Sequence, residues 1–257
     1  MDSKSSLSCT SQLTGILSSW MTKNALDEVD IYSGLSNSLL LLINRIADLE
    51  TPSSKADFGE LCHEVSILRT ALESLNQRIP QDLDPITSSQ VSISAKVYRL
   101  ASLLFLHQKI SLTCGRVPFR TNALQAPFSD SEIYDLVCHV LEDLENNPNL
   151  TERASIPLWP LFIAGCSADD EFLRIKVLKI FRRTETLQRF GNITSARRGV
   201  ESLWRQRDLS TDERPARIPK YKKVRISRSA LDEGWEKKRC VWDYVENIMG
   251  RAKPSLT

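Results

Sequence analysis

The stretch Phe58-Gly59-Glu60-Leu61-Cys62-His63-Glu64-Val65-Ser66-Ile67-Leu68-Arg69-Thr70-Ala71-Leu72-Glu73-Ser74-Leu75-Asn76-Gln77-Arg78-Ile79-Pro80 decides the fold class. Phe58, Leu61, Val65, Leu68, Leu72, Leu75 and Ile79 follow one another at intervals of 3, 4, 3, 4, 3 and 4. That spacing puts all seven on one side of an α-helix, where a strand would need a period of two. It predicts an amphipathic helix over 58–79, stopped by Pro80. Barely three heptads long, the stripe reads as one wall of a helical body rather than a coiled-coil seam.

The same period continues in both directions. Upstream, Leu13, Ile16, Leu17, Trp20 and Met21 suit a short helix behind a Ser-rich start, and Ile31, Leu35, Leu39, Leu42, Ile43, Ile46 and Leu49 suit a longer one ending before Pro52. Downstream, residues 89–111 carry Val91, Ala95, Tyr98, Ala101, Leu104, Phe105 and Ile110 at helical spacing. Ser129 and Glu132 stand at capping-box distance and open a helix with Ile133, Leu136, Val137, Val140, Leu141 and Leu144 that stops at Asn146-Asn147-Pro148. Ile156 to Cys166 is the least polar stretch; Pro157 and Pro160 frame a helix start, and Gly165 permits close backbone packing. Asp169-Asp170-Glu171 put negative charge at the start of a helix that carries Phe172, Ile175, Leu178 and Phe181 at apolar spacing and ends at Phe190-Gly191. Asn192 then caps a helix with Ala196, Val200, Leu203 and Trp204, residues 208–230 form a basic loop, and Trp235, Val241, Trp242, Val245, Ile248 and Met249 make a last helix. No run alternates long enough for a strand. The expectation is an all-α bundle or solenoid-like array of about 8–10 helices.

Composition narrows the function. Nine glycines and eleven prolines are about 8% of the 257 residues, against ~12% on average, which disfavours sandwiches, propellers and Gly-rich phosphate-binding enzymes. With 41% hydrophobic residues the chain is not disordered throughout. The longest aliphatic run is Leu39 to Ile43, and the first residues hold no apolar signal core, so a soluble, intracellular protein without a membrane span is expected. Six cysteines stand at 9, 62, 114, 138, 166 and 240, no two closer than Cys114 and Cys138, so no C-x-x-C metal or redox motif exists and reduced, mostly buried thiols are expected. His63 and His139 each follow a cysteine, a placement that cannot chelate one metal from a helix, and His107 reads as a half-buried packing residue. G-x-S-x-G, G-x-x-x-x-G-K-S/T, G-x-G-x-x-G and H-E-x-x-H are all absent, so no enzyme is expected. Asp27-Glu28 and Asp169-Asp170 read as helix-start acids, and the glycosylation-like Asn149-Leu150-Thr151 and Asn192-Ile193-Thr194 as helix caps.

Charge is divided along the chain. Residues 1–171 hold 12 Lys+Arg against 22 Asp+Glu, and residues 172–257 hold 22 against 10. A basic tail folding onto an acidic body is the commoner outcome of such a division, and a surface kept for a polyanion or receptor the other. Its densest part is Arg214, Arg217, Lys220, Lys222, Lys223, Arg225 and Arg228, with no acid among them and Pro215 and Pro219 keeping it extended. Three readings stay open: a nuclear-import segment, a phosphate-binding segment, or a solvated loop against the acidic body.

Trp159-Pro160-Leu161-Phe162-Ile163-Ala164-Gly165-Cys166 resembles a segment of the fungal-specific transcription factor domain, the helical regulatory region of fungal zinc binuclear cluster regulators. Three further stretches resemble it in order: Ile31-Tyr32-Ser33-Gly34-Leu35 with 39–49, Val97-Tyr98-Arg99-Leu100-Ala101-Ser102-Leu103-Leu104-Phe105-Leu106, and Gly191-Asn192-Ile193 through Val200 to Leu203-Trp204 with Trp242. Together they cover roughly 29–250, leaving a Ser-rich segment at 1–28 and a tail at 251–257.

The resemblance implies a nuclear, or else cytoplasmic, regulator of RNA polymerase II transcription. It would act through protein partners or an effector: the transcription machinery, a related regulator, or a second copy of itself. The family's zinc module needs six cysteines in a compact C-x2-C-x6-C arrangement, repeated once. Here six are scattered, so zinc is expected only in a separate N-terminal module of a full-length relative, and sequence-specific DNA binding is not expected of this chain alone. The chain is then either a piece of a longer regulator or a stand-alone helical adaptor that modulates a full-length relative. The resemblance makes Trp159, Pro160, Phe162 and Gly165 the setters of the central helix junction, and Trp204 and Trp242 the anchors of the C-terminal helices.

Overall fold

A computed structural model describes residues 21–52, 54–115, 128–152, 157–188 and 191–212. Nine helical segments occur among them: α1 Lys23–Asp27, α2 Asn37–Ala47, α3 Lys55–Ser74, α4 Pro85–Gly115, α5 Asp130–Asn146, α6 Asn149–Glu152, α7 Leu158–Ser167, α8 Glu171–Leu187 and α9 Gly191–Asp212. Extended pairing among these residues is confined to two isolated bridges, Glu28 with Arg78 and Val29 with Ser36. The fold is all-α. The chain divides into two compact units between Ile193 and Thr194.

In the first unit the helix starts are written in side chains. Thr22, Ser36 and Asp170 accept from Ala25, Leu39 and Leu173, giving backbone N–H groups that have no helical acceptor a partner. Ser54 with Asp57, and Ser129 with Glu132, form complete capping boxes. Pro85 opens α4, where a missing N–H costs nothing, while Asp84 accepts from Ile86 and Thr87.

The 31-residue α4 is the axis of this unit. It packs against α2, α3, α5, α6 and α7, while α5 and α7 also meet each other and α8. Its four consecutive residues Leu103, Leu104, Phe105 and Leu106 are all buried, as a helix enclosed on every side requires. In α7 the run from Pro160 to Cys166 is buried without a break. Leu61, Val65, Leu68 and Leu72 form the buried wall of α3, four members of the stripe quoted above.

The structure corrects several expectations. The α3 stripe leaves the helix at Ser74: Leu75 is extended, the Arg78 N–H donates to the Asp27 carbonyl at the end of α1 while the Arg78 carbonyl accepts from the Val29 N–H, and Ile79 packs on Val29, Val91 and Ala95. The second expected helix starts only at Asn37, because Ile31 to Leu35 form a tight turn. In it the Asp30 carboxylate accepts from Tyr32 and Ser33, the Asp30 carbonyl accepts from Gly34, and Gly34 takes φ +75°. Asp27 and Glu28 lie at the end of α1, not at a helix start; Asp27 accepts from the Ser38 hydroxyl. Phe172 and Ile175 are 59% and 57% exposed, and the buried face of α8 is Leu173, Val177, Ile180, Phe181 and Thr184. Helix α8 ends at Leu187 and Gly191 opens α9, so Gly191 is no helix stop and Asn192 lies inside the first turn of α9.

In α9, residues Ile193, Ala196, Val200 and Trp204 are buried at helical spacing, and Glu201 pairs with Arg197 at 2.6 Å and with Arg205 at 3.6 Å. The helix runs to Asp212, so the basic loop expected from 208 has its first five residues in helix. The expected helices around Leu13 to Trp20 and around Trp235 to Met249 lie outside the described residues.

Candidate functional site

The junction predicted around Trp159 is assembled from α4 and α7. The Trp159 ring stacks on Tyr98 with centroids 6.1 Å apart and planes 8° apart, and meets Phe105 edge-on at 5.8 Å. Aromatic pairs in these geometries stabilise beyond their buried area. Tyr98 is so enclosed that burial pushes its phenol pKa up to about 12, so it stays neutral at any physiological pH. Nearly three turns past Tyr98 along α4, buried Gln108 donates from Nε2 to the Ile163 carbonyl at 3.0 Å and to Ser167 Oγ at 2.6 Å. This polar clamp fixes how α7 sits along α4. Of the predicted architectural residues, Pro160, Phe162 and Gly165 are buried in α7, Trp159 is half-buried against Tyr98 and Phe105, and Trp204 is buried in α9. Trp242 lies outside the described residues.

A second junction was not foreseen. The Gln77 side-chain oxygen accepts from the Ser36 N–H and hydroxyl at 3.3 and 3.2 Å, and its Nε2 donates to the Ala95 carbonyl at 2.9 Å. One amide thereby ties the start of α2 and the segment after α3 to the middle of α4. No spacing rule marks a single glutamine as such a staple. The turn it supports was more legible, since Asp30 with Gly34 carries turn chemistry and Ser36 stands three residues before Leu39 as an N-cap.

Titratable groups in these junctions have structural surroundings. His107 is half-buried, meets the Phe128 ring edge-on at 5.7 Å, and lies 3.4 Å from the Ser111 hydroxyl. Burial lowers its pKa, against the pull of Asp130 and Asp169. The folded ring is therefore harder to protonate than the unfolded one, whose pKa is about 6.5. Below that value the unfolded chain binds more protons, so His107 contributes stability that is lost as pH falls from about 7 through 6.5 and stops changing below the folded pKa. The urea midpoint should be lower at pH 5.5 than at pH 7.5, and His107→Gln should shrink that difference. Asp30, Glu132 and Glu145, held low by hydrogen bonds from Ser33, Ser129 and Lys179 respectively, act with the same sign only below about pH 4.5. An equal midpoint at both pH values in wild type would sink the account of His107.

Cys62 in α3 and Cys138 in α5 are half-buried free thiols whose pKa burial raises, and Cys166 in α7 is buried. These three thiols lie on three different helices, and no group of three or more His, Cys, Asp or Glu able to hold a metal occurs among the described residues. Part of the basic half does rest on the acidic half: Lys179 of α8 pairs with Glu145 of α5 at 2.7 Å, and Arg183 donates to the Leu144 and Glu145 carbonyls. Arg214, Arg217, Lys220, Lys222, Lys223, Arg225 and Arg228 lie outside the described residues. No helix among those described is long and apolar enough to cross a membrane.

The profile of the fungal specific transcription factor domain matches residues 1–251. The chain belongs to that family. No curated protein and no solved structure matches it. The fungal specific transcription factor domain is a transcription factor domain and not an enzyme family, so the role of the chain is related to transcription factor function. The two junctions position the helices of this domain's scaffold.

Proposed function

We propose that the chain is the regulatory, non-DNA-reading part of a fungal transcription regulator, and that it works in the nucleus on RNA polymerase II transcription through protein partners. The observation that carries this reading is the family match over residues 1–251. The helical scaffold supports it, since buried junctions hold rigid elements whose outer faces are left for recognition. The spread of the cysteines supports a role without direct sequence readout, because a compact thiolate cluster cannot be drawn from such positions. The cations from Arg214 to Arg228 supply the chemistry that an import receptor reads.

Tethering tests the reading. Fused to a heterologous DNA-binding domain in a fungal cell, the full chain should change transcription of a reporter bearing the cognate site at least several-fold, in either direction. A fusion that is present in the nucleus and leaves the reporter unchanged would overturn it. If the untethered chain instead damps a reporter driven by a full-length relative, the adaptor role takes its place.

A further inference from the structure

The outward side of α8 is built unlike the outer faces of its neighbours. Phe172, Ile175, Lys179, Arg182 and Thr186 are all exposed and follow one another at intervals of 3, 4, 3 and 4, one stripe along the helix opposite its buried face. The stripe is apolar over its first half and cationic over its second. Lys176 adds a third cation, its ammonium 4.8 Å from the centre of the Phe172 ring. On the flanking α5, Tyr134 is 45% exposed, shares a hydrogen bond with Cys138, and lies within electrostatic reach of Asp170 at the start of α8. Helices α5 and α8 pack on each other, and Lys179 pairs with Glu145 of α5 at 2.7 Å, so the two helix faces adjoin.

A ring and a branched aliphatic chain side by side in water cost free energy in the isolated domain. Nothing in the packing of α8 requires them, because Leu173, Val177, Ile180 and Phe181 already supply its core face. Charge complementarity decides what covers them. The cations follow the apolar pair by one to two turns, and the exposed acid of this helix, Glu171, stands at the opposite end. From Phe172 to Thr186 the stripe is about 21 Å long at 1.5 Å per residue, the length of a helix of about four turns.

We propose that this face of α8, with Tyr134 at its edge, docks an acidic amphipathic helix of a protein partner. The partner's apolar side chains would seat on Phe172 and Ile175, and its carboxylates would meet Lys176 and Arg182, with Lys179, already paired to Glu145 of α5, at the rim, in the helix-on-surface mode of peptide recognition. This rests on the regulatory reading above and names the surface through which it operates.

The test uses the full chain and three fluorescein-labelled synthetic peptides of 18 residues, read by fluorescence anisotropy. The first is an amphipathic helix with leucines and phenylalanines on one face and glutamates over the following turns. The second has glutamine for every glutamate, and the third is the first scrambled. The first should bind, and the other two should bind at least tenfold more weakly. Phe172→Ser with Ile175→Ser should weaken the first at least tenfold while leaving the thermal melt of these exposed positions unchanged. Arg182→Gln should weaken it several-fold and flatten its salt dependence. Equal binding of the scrambled peptide, or full affinity in the serine variant, would overturn the proposal. So would a wild-type chain that sediments as a dimer and a serine variant that sediments as a monomer, since a second copy would then cover the face. Failure here with an intact tethered-reporter response removes this surface alone; a silent wild-type reporter removes the regulatory reading itself.

Discussion

Phe162→Ala is expected to lower the unfolding free energy by ~3–5 kcal/mol, the usual cost of deleting a buried ring. Phe162 is 6% exposed and stands in the middle of α7, a helix with no polar side from Pro160 to Cys166. Helices α4, α5 and α8 all pack on α7, so the space left by the ring opens between rigid neighbours and has no solvent-facing residue to relax into it. A domain of this size is stable by ~5–15 kcal/mol in total, so the loss takes a large fraction of its stability and should lower its abundance in cells. Urea titration followed by circular dichroism checks this. A midpoint equal to that of wild type would show that α7 is not enclosed.

Gly34→Ala should cost nearly as much by a different route. At φ +75° an L side chain costs ~1–2 kcal/mol, and the new Cβ would stand 2.1 Å from Ser94 Oγ and 3.0 Å from Ser94 Cβ. Overpacking of that kind adds ~1–3 kcal/mol, for a total of about 2–5. The severe part of the clash is with the Ser94 hydroxyl oxygen, which Ser94→Ala removes, and this makes the mechanism separable from the strain. Ser94→Ala in the Gly34→Ala background should recover part of the loss, whereas Ser94→Ala alone should not stabilise wild type by the same amount. A double-mutant cycle with no coupling would mean that Gly34 matters only for its backbone angle.

How much of this could be read beforehand depended on whether the determinant was local. The α3 wall at Leu61, Val65, Leu68 and Leu72, the capping box at Ser129 and Glu132, and the enclosed α7 are set by residues within one helix, and all three were legible. The face of α8 was not. Apolar residues stand at 172, 173, 175, 177, 178, 180 and 181, all round the helix, so periodicity allows several faces and the partners α5, α6 and α7 select one. Leu75 and Ile79 kept helical spacing outside a helix for the same reason: both bury apolar surface, but the backbone there pairs with the chain after α1. Gln77 and Gln108 carry the two polar junctions, and their role comes wholly from carbonyls and hydroxyls distant in the chain.

The bond between Gln108 and Ser167 spans 59 residues. On a ribosome adding ~5–20 residues per second, the apolar middle of α4 is made about 3–12 s before the helix that covers it. During that interval Leu103 to Leu106 face the cytosol as a bare oily band, the kind of segment that holding chaperones grip. The slower the translation, the longer this band waits for its cover, and slow codons between α5 and α7 lengthen the exposure.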